Sequence, residues 1–264
     1  MPASIAVLVR TKNELAGLPD FWRSLVEQSI FPSAEIIFLD SGSSDGTLEY
    51  LSDKPCAVYA IPSDDFHFGS SCNQIAACTT APVLAYFSAH VVLESNVTLQ
   101  RLVETLSVET FAAAYMRQVP KPHLSSAYDR AFLARRFPPS RHQKVKLASP
   151  GAFSNAASAI TRASWDRLPF QEVQASEDSL WAKEHLRLGG SLHYLPQLTI
   201  QHSHNESPEA VYSRVRLNMQ ARGLHGSYLT SLAYTAGIFG ALLRQGAPFR
   251  EAWTYALAHG RAYR

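Results

Sequence analysis

Short, unbroken apolar runs recur through the first third of the chain: Ile5 to Val9, Glu35 to Leu39, Ala57 to Ile61 and Val83 to Phe87. Between them the apolar positions change period. From Glu14 to Gln28 they fall at Leu15, Leu18, Phe21, Trp22 and Leu25, which is helical spacing, and Thr47 to Leu51 and Ser70 to Cys78 read the same way. A strand that is apolar without alternation is one buried on both faces. Strands of that kind alternating with helices predict an α/β domain with a mostly parallel sheet flanked by helices.

Past residue 95 the order loosens. A helix is expected over Val97 to Leu106, a strand over Phe111 to Arg117, and a Pro-rich irregular region from Pro120 to Pro150. Ala152 to Thr161 reads as extended and Ser176 to Leu188 as helical, while Ser191 to His202 reads as two short strands joined at Pro196-Gln197. From Pro208 onward the pattern is helical, with interruptions near Gly226 and at Gly246-Ala247-Pro248. The predicted division is therefore a sheet domain over residues 1–205 and a helical C-terminal extension over 206–264. No internal repeat is visible.

Composition narrows the classes. A chain of 264 residues with 46% apolar and 17% charged residues can bury one large core, or a domain plus an appendage. The net charge is +2, and the most basic piece, Arg135-Arg136 with Arg141, Lys144 and Lys146, is too short for a nucleic-acid footprint. Three cysteines without CxxC spacing, Cys56, Cys72 and Cys78, predict no disulfide framework and a reducing compartment. Arg10 and Lys12 interrupt the N-terminal apolar run, so no export signal is expected. Tyr228 to Leu243 is uncharged but contains two glycines, two threonines and a serine. It reads as a helix lying on protein or on a membrane surface, because spanning needs about 20 strongly apolar residues.

In an open parallel sheet, ligands bind beyond the C-terminal strand ends. That rule singles out Thr11 to Glu14, Asp40 to Asp45 and Ser88 to His90. Asp40 could accept hydrogen bonds from a base or ribose, or the run "DSGSSDG" could be only a turn whose Ser44 or Asp45 caps the next helix. Glu177 and Asp178 follow Ser176 at a helix start, where acids are favoured anyway; the functional reading makes Asp178 a general base. Alternation places His202 and His204 on one face, where with His90 they could hold a metal or a phosphate.

Together these pieces resemble family 2 glycosyltransferases. "SIAVLVRTKNE", "EIIFLDSGSSDGT", "FHFGSSCNQIA", "LAYFSAHVV", "NAASAITRASWDRLPF", "ASEDSLWAKEHLRLGG" and "YLPQLTIQHSH" occur in that family's order over about residues 4 to 205, with greatest similarity to the bacterial rhamnosyltransferase-like branch. The resemblance implies a GT-A (Rossmann-like) fold, a nucleotide-diphosphate sugar donor with dTDP-rhamnose the first candidate, and inversion by direct displacement. It also implies a glycan or lipid-linked acceptor in surface polysaccharide synthesis, at the cytoplasmic face of the membrane. Asp178 matches the family's base and Glu177 its neighbour; Thr11, Glu14, Asp40, Asn73, Ser88 and Ala89 match donor-side positions.

Ser88-Ala89-His90 stands where the family's metal-binding DxD is expected, so a neutral imidazole replaces an acid. Two routes for balancing a diphosphate follow. One retains a divalent ion, Mn2+ or Mg2+, through His90, His202 or His204; the other uses cations such as Arg10, Lys12 or the Arg141 to Lys146 loop. Two alternatives of different class are a sugar nucleotidyltransferase and a non-catalytic glycosyltransferase-like binding module. The helix after Pro208, with Tyr212, Val215, Leu217 and Met219 among Arg214, Arg216 and Arg222, reads either as a basic amphipathic membrane contact or as a helix packed on the protein.

Overall fold

The computed structural model describes residues 3–140, 143–146 and 153–264. Its first half follows the apolar runs: β1 (Ile5–Thr11), α1 (Leu18–Val26), β2 (Ala34–Asp40), α2 (Thr47–Leu51), β3 (Ala57–Ala60), α3 (Phe68–Ala77) and β4 (Val83–Ser88). These strands pair in parallel in the order β3-β2-β1-β4, each joined to the next through a helix, as parallel pairing requires. In β1, Ile5 to Val9 are all buried, which is why the run carries no alternation. Unlike the others, β3 is exposed along its length, because it forms the sheet edge.

The rest of the sheet departs from the parallel expectation. β5 (Val92–Leu93), α4 (Thr98–Leu106), β6 (Ala112–Val119), α5 (Ala127–Arg136), β7 (Gln143–Lys144), β8 (Ala157–Thr161), α6 (Arg162–Arg167), α7 (Glu177–Arg187) and β9 (Ser191–Gln201) complete a nine-stranded mixed sheet. β8 runs antiparallel to β4 and to β6, and β9 runs antiparallel to β5 and to β7.

Two further expectations are corrected. The 191–201 segment is one strand rather than two. Pro196 falls between the registers that β7 (residues 193–194) and β5 (residues 200–201) occupy on β9. Within the stretch expected to be irregular lies α5, closed by a capping box between Ser126 and Asp129. Residues 141–142 and 147–150 of that stretch, and 151–152 after it, lie outside the described residues.

The chain divides into two compact units. The first comprises Met1–Gln118, Pro139–Val173 and Glu177–Gln201. Its core packs α1 on the sheet, with Phe21 edge-on to Phe38 at 6.4 Å and against Phe87 at 6.2 Å. Each such fully buried side chain contributes about 1.5–3 kcal/mol relative to exposure.

The second unit comprises Val119–Pro138, Gln174–Ser176 and His202–Arg264. It contains α5 together with α8 (Pro208–Ala221), α9 (Tyr228–Arg244) and α10 (Phe249–Arg261). Its core joins Tyr128 to Val211, Val215, Ile238, Leu242 and Ala256. Tyr128 stacks on Tyr255 at 5.2 Å, and its hydroxyl meets His259 Nδ1 at 2.7 Å. α8 is largely a packed helix: Val211, Val215 and Met219 are buried, and Arg214 pairs with Glu206 at 2.8 Å.

Candidate active site

β1, β2 and β4 end together. Thr11 is the register partner of Asp40, and Arg10 that of Ser88, so the three loops singled out by the strand-end rule leave the same edge of the sheet. The first two loops are stitched to one another. Asp40 is 1% exposed; its Oδ2 accepts the N–H groups of Gly42 and Ser43 at 2.9 Å, and its Oδ1 accepts Thr11 Oγ1–H at 3.2 Å and the Ser43 hydroxyl. Asn13, with a left-handed φ of 56°, accepts the Ser44 N–H at 2.8 Å and donates its own N–H to Ser43 Oγ. Asp45 takes the Thr47 hydroxyl and the N–H groups of Leu15 and Thr47, which hold its pKa below the usual carboxylate range, the Thr47 hydroxyl foremost. These bonds are those of the turn reading of "DSGSSDG": Asp40 and Asp45 hold the loop that leaves β2.

After β4 the chain passes Ala89, which is buried, to His90, which is half-buried. His90 Nδ1 lies 2.9 and 3.1 Å from the two carboxylate oxygens of Glu14. Gly17 makes this approach possible, because a Cβ there would stand 2.5 Å from His90 Cβ. An acid of the first loop thus lies in contact with the imidazole that follows β4.

Glu177 and Asp178 open α7, and their surroundings differ. Glu177 is buried, and its Oε1 accepts from Arg10 Nη2 at 3.2 Å and from Asn155 Nδ2 at 3.3 Å. Arg10 also donates to the Phe68 carbonyl at 2.7 Å and to Ser71 Oγ at 3.3 Å. The adjacent Cys72 thiol is pushed up to about 12 by burial, so it stays protonated beside this pair. Asp178 accepts the Asn155 backbone N–H through Oδ2 at 3.4 Å and the Ser179 N–H through Oδ1 at 2.6 Å. Just before α7, Ser176 holds a left-handed φ of 61°, a strained value for a residue with a Cβ. Within the second unit its hydroxyl bonds Asn218 Oδ1 at 2.9 Å and accepts from Arg222 Nε at 3.0 Å.

His202 and His204, in the second unit, stand together with ring centroids 4.5 Å apart; His202 is buried and His204 exposed. Asn73, expected on the donor side, is a bracket within the first unit. Its amide donates to the Phe170 carbonyl at 2.8 Å and accepts from Phe170 N–H and Trp165 Nε1–H, so both ends of the group are taken. Arg10, named as a cation for the diphosphate, is instead the partner of Glu177. Lys144 pairs with Glu109 at 2.6 Å, Lys12 bonds the Ser63 hydroxyl, and Arg141 lies outside the described residues. Asn155 opens the "NAASAITRASWDRLPF" run but carries no local signal of a site role; only the fold brings it to the acids.

Comparisons with known proteins place these observations. The family model of Glycosyl transferase family 2 matches residues 6–166. The O-antigen chain rhamnosyltransferase RfbN of Salmonella typhimurium is 27% identical over 220 residues, covering 80% of this chain and 69% of that protein. The O-antigen chain rhamnosyltransferase WbaN of Salmonella anatum is 22% identical over 223 residues, covering 80% and 70%. Among solved structures, the mannosyltransferase PcManGT of Pyrobaculum calidifontis, in complex with GDP-Man and Mn2+, superposes with a TM-score of 0.63 at 18% identity, covering 98% of this chain and 70% of that one.

Proposed function

The chain belongs to glycosyl transferase family 2, is a glycosyltransferase of GT-A fold, and from that premise we propose that it moves rhamnose from dTDP-rhamnose, with inversion, to a hydroxyl of a glycan or lipid-linked acceptor during bacterial surface polysaccharide synthesis. The names of two relatives, both O-antigen chain rhamnosyltransferases, support the sugar and the setting. Membership in the family speaks against the nucleotidyltransferase alternative.

The observation that carries the mechanism is the unequal treatment of the two acids at the start of α7. Glu177 is buried and held by Arg10 and Asn155, whereas Asp178 is half-buried and accepts the backbone N–H groups of Asn155 and Ser179. In the proposed reaction the acceptor oxygen attacks the anomeric carbon as the bond from that carbon to the diphosphate oxygen breaks. The acceptor proton passes to the Asp178 carboxylate, and the nucleoside diphosphate departs with the bonding pair. Thr11, Glu14 and the Asp40 turn frame the nucleotide side, and Ser88 and Ala89 line the approach to His90.

The residues present fit a divalent ion, as the Mn2+ in PcManGT also suggests. His90 is anchored to Glu14 through Nδ1, so Nε2 is the nitrogen that would coordinate, the usual carboxylate–histidine arrangement of metal ligands. His202 and His204 each offer a further imidazole nitrogen. When bound, the ion would neutralise charge on the leaving diphosphate.

Asp178→Asn keeps the size and loses the basicity. Transfer should fall at least a thousandfold, beyond the ~10²–10⁴ of a general base at its lower end, while dTDP-rhamnose still binds by calorimetry. Near-normal turnover in this variant would sink the assignment.

A further inference from the structure

α9 is uncharged from Tyr228 to Leu243, yet it buries chiefly Ser231, Ile238 and Leu242. Its larger apolar side chains point outward: Leu229 is 77% exposed, Leu232 46% and Leu243 42%. Their spacing, with exposed Ala233 and Ala236 between, follows one side of the helix. α10 extends the same surface. Phe249 is 66% and Trp253 45% exposed, and both stand edge-on to Phe239 of α9, at 5.3 and 5.5 Å. An apolar stripe this long is unusual on a protein surface.

The charges around it are mostly basic. From Arg222 onward the sequence holds five arginines and a single acid, Glu251. Arg244 closes α9 beside Leu243, Arg250 follows Phe249, and Arg264 lies over the Tyr228 ring at 5.0 Å. No helix among the described residues is long and apolar enough to cross a membrane. Leucine and aromatic side chains on one face, rimmed by arginine, form the surface of a helix pair that lies in the headgroup layer.

We propose that the α9–α10 face docks on a membrane surface carrying anionic phospholipids. The basic helix picked out from sequence, α8, turns Val215 and Met219 inward and commits Arg214 to Glu206, so the contact moves to the two helices that follow it. The inference deepens the proposed use of a lipid-linked acceptor but does not depend on the catalytic residues, since docking is measured without substrate.

The test is flotation of the full chain with vesicles of phosphatidylcholine alone or mixed with phosphatidylglycerol. The wild-type chain should float with the mixed vesicles, lose most binding in high salt, and float poorly with phosphatidylcholine. The doubly substituted L229S/F249S chain should lose at least tenfold in bound fraction, and R244Q/R250Q should lose binding at moderate salt; both positions are exposed, and circular dichroism checks the fold. Two results overturn the proposal: wild-type protein that stays with the soluble fraction, or L229S/F249S that floats as well as wild type. If light scattering instead shows a dimer that L229S/F249S abolishes, without vesicle binding, the face is a self-association surface and the proposal fails. Hydrolysis of dTDP-rhamnose without vesicles should be the same in L229S/F249S and wild type, so loss of docking and loss of chemistry are read separately.

Discussion

At the scale of single residues, Arg10 decides more than its place in a strand suggests. Its guanidinium is half-buried and donates to the Phe68 carbonyl, Ser71 Oγ and the buried Glu177, and it lies over the Phe68 ring at 5.4 Å. Removing one member of a buried ion pair leaves the other charge uncompensated, at a cost of about 3–5 kcal/mol. Arg10→Met should therefore lower the chemical denaturation midpoint by an amount of that order, and adding Glu177→Met should restore much of it. A double variant no more stable than the single one would refute the pairing as the cause. None of this could be read locally. Arg10 and Glu177 are 167 positions apart, and an arginine after a strand looks equally suited to a diphosphate. Asp40 and His90 were legible, because strand ends are where the fold gathers its chemistry; the Glu14 partner of His90 was not, because a contact across loops has no periodicity.

At the scale of elements, the β1 to β4 half was readable because each strand is a solid apolar run and each helix keeps its stripe. The errors came where local rules compete. Pro196 looks like a strand break, yet β9 runs through it between the registers taken by β7 and β5. α5 carries Ser126 and Asp129 at capping-box spacing, a signal hidden by the proline-rich surroundings. α3 depends on a close approach: a Cβ at Gly69 would stand 1.7 Å from the Gln171 carbonyl oxygen. Backbone cannot yield as a flexible side chain does. Gly69→Ala should cost about 1–3 kcal/mol, the range for forced overpacking, seen as a lowered thermal midpoint. An unchanged midpoint would mean that the 170–172 segment can shift at little cost.

For the whole molecule, each unit hides a histidine. His185 stacks on Trp181 in the first and His259 sits under Tyr128 in the second, and burial pushes both down to about 4. Their unfolded pKa is near 6.5, so between 6.5 and 4 the unfolded chain binds protons that the folded chain does not, and stability falls as the pH drops through that window. The slope should approach about 1.4 kcal/mol per pH unit for each histidine. Denaturant titrations at pH 7, 6, 5 and 4 check this, and a flat profile above pH 5 would contradict it. The mixed sheet and its two units were only partly foreseeable, since antiparallel pairing and the return of residues 119–138 to the helical unit are decided by tertiary contacts. That helical unit is assembled from three separated lengths of chain. Anyone shuffling genes within this family to exchange acceptor preference would therefore need breakpoints around all three. A single crossover after residue 205 would hand Tyr255 and His259 a foreign Tyr128 position, and recombination would fail at the level of the core before specificity could be tested.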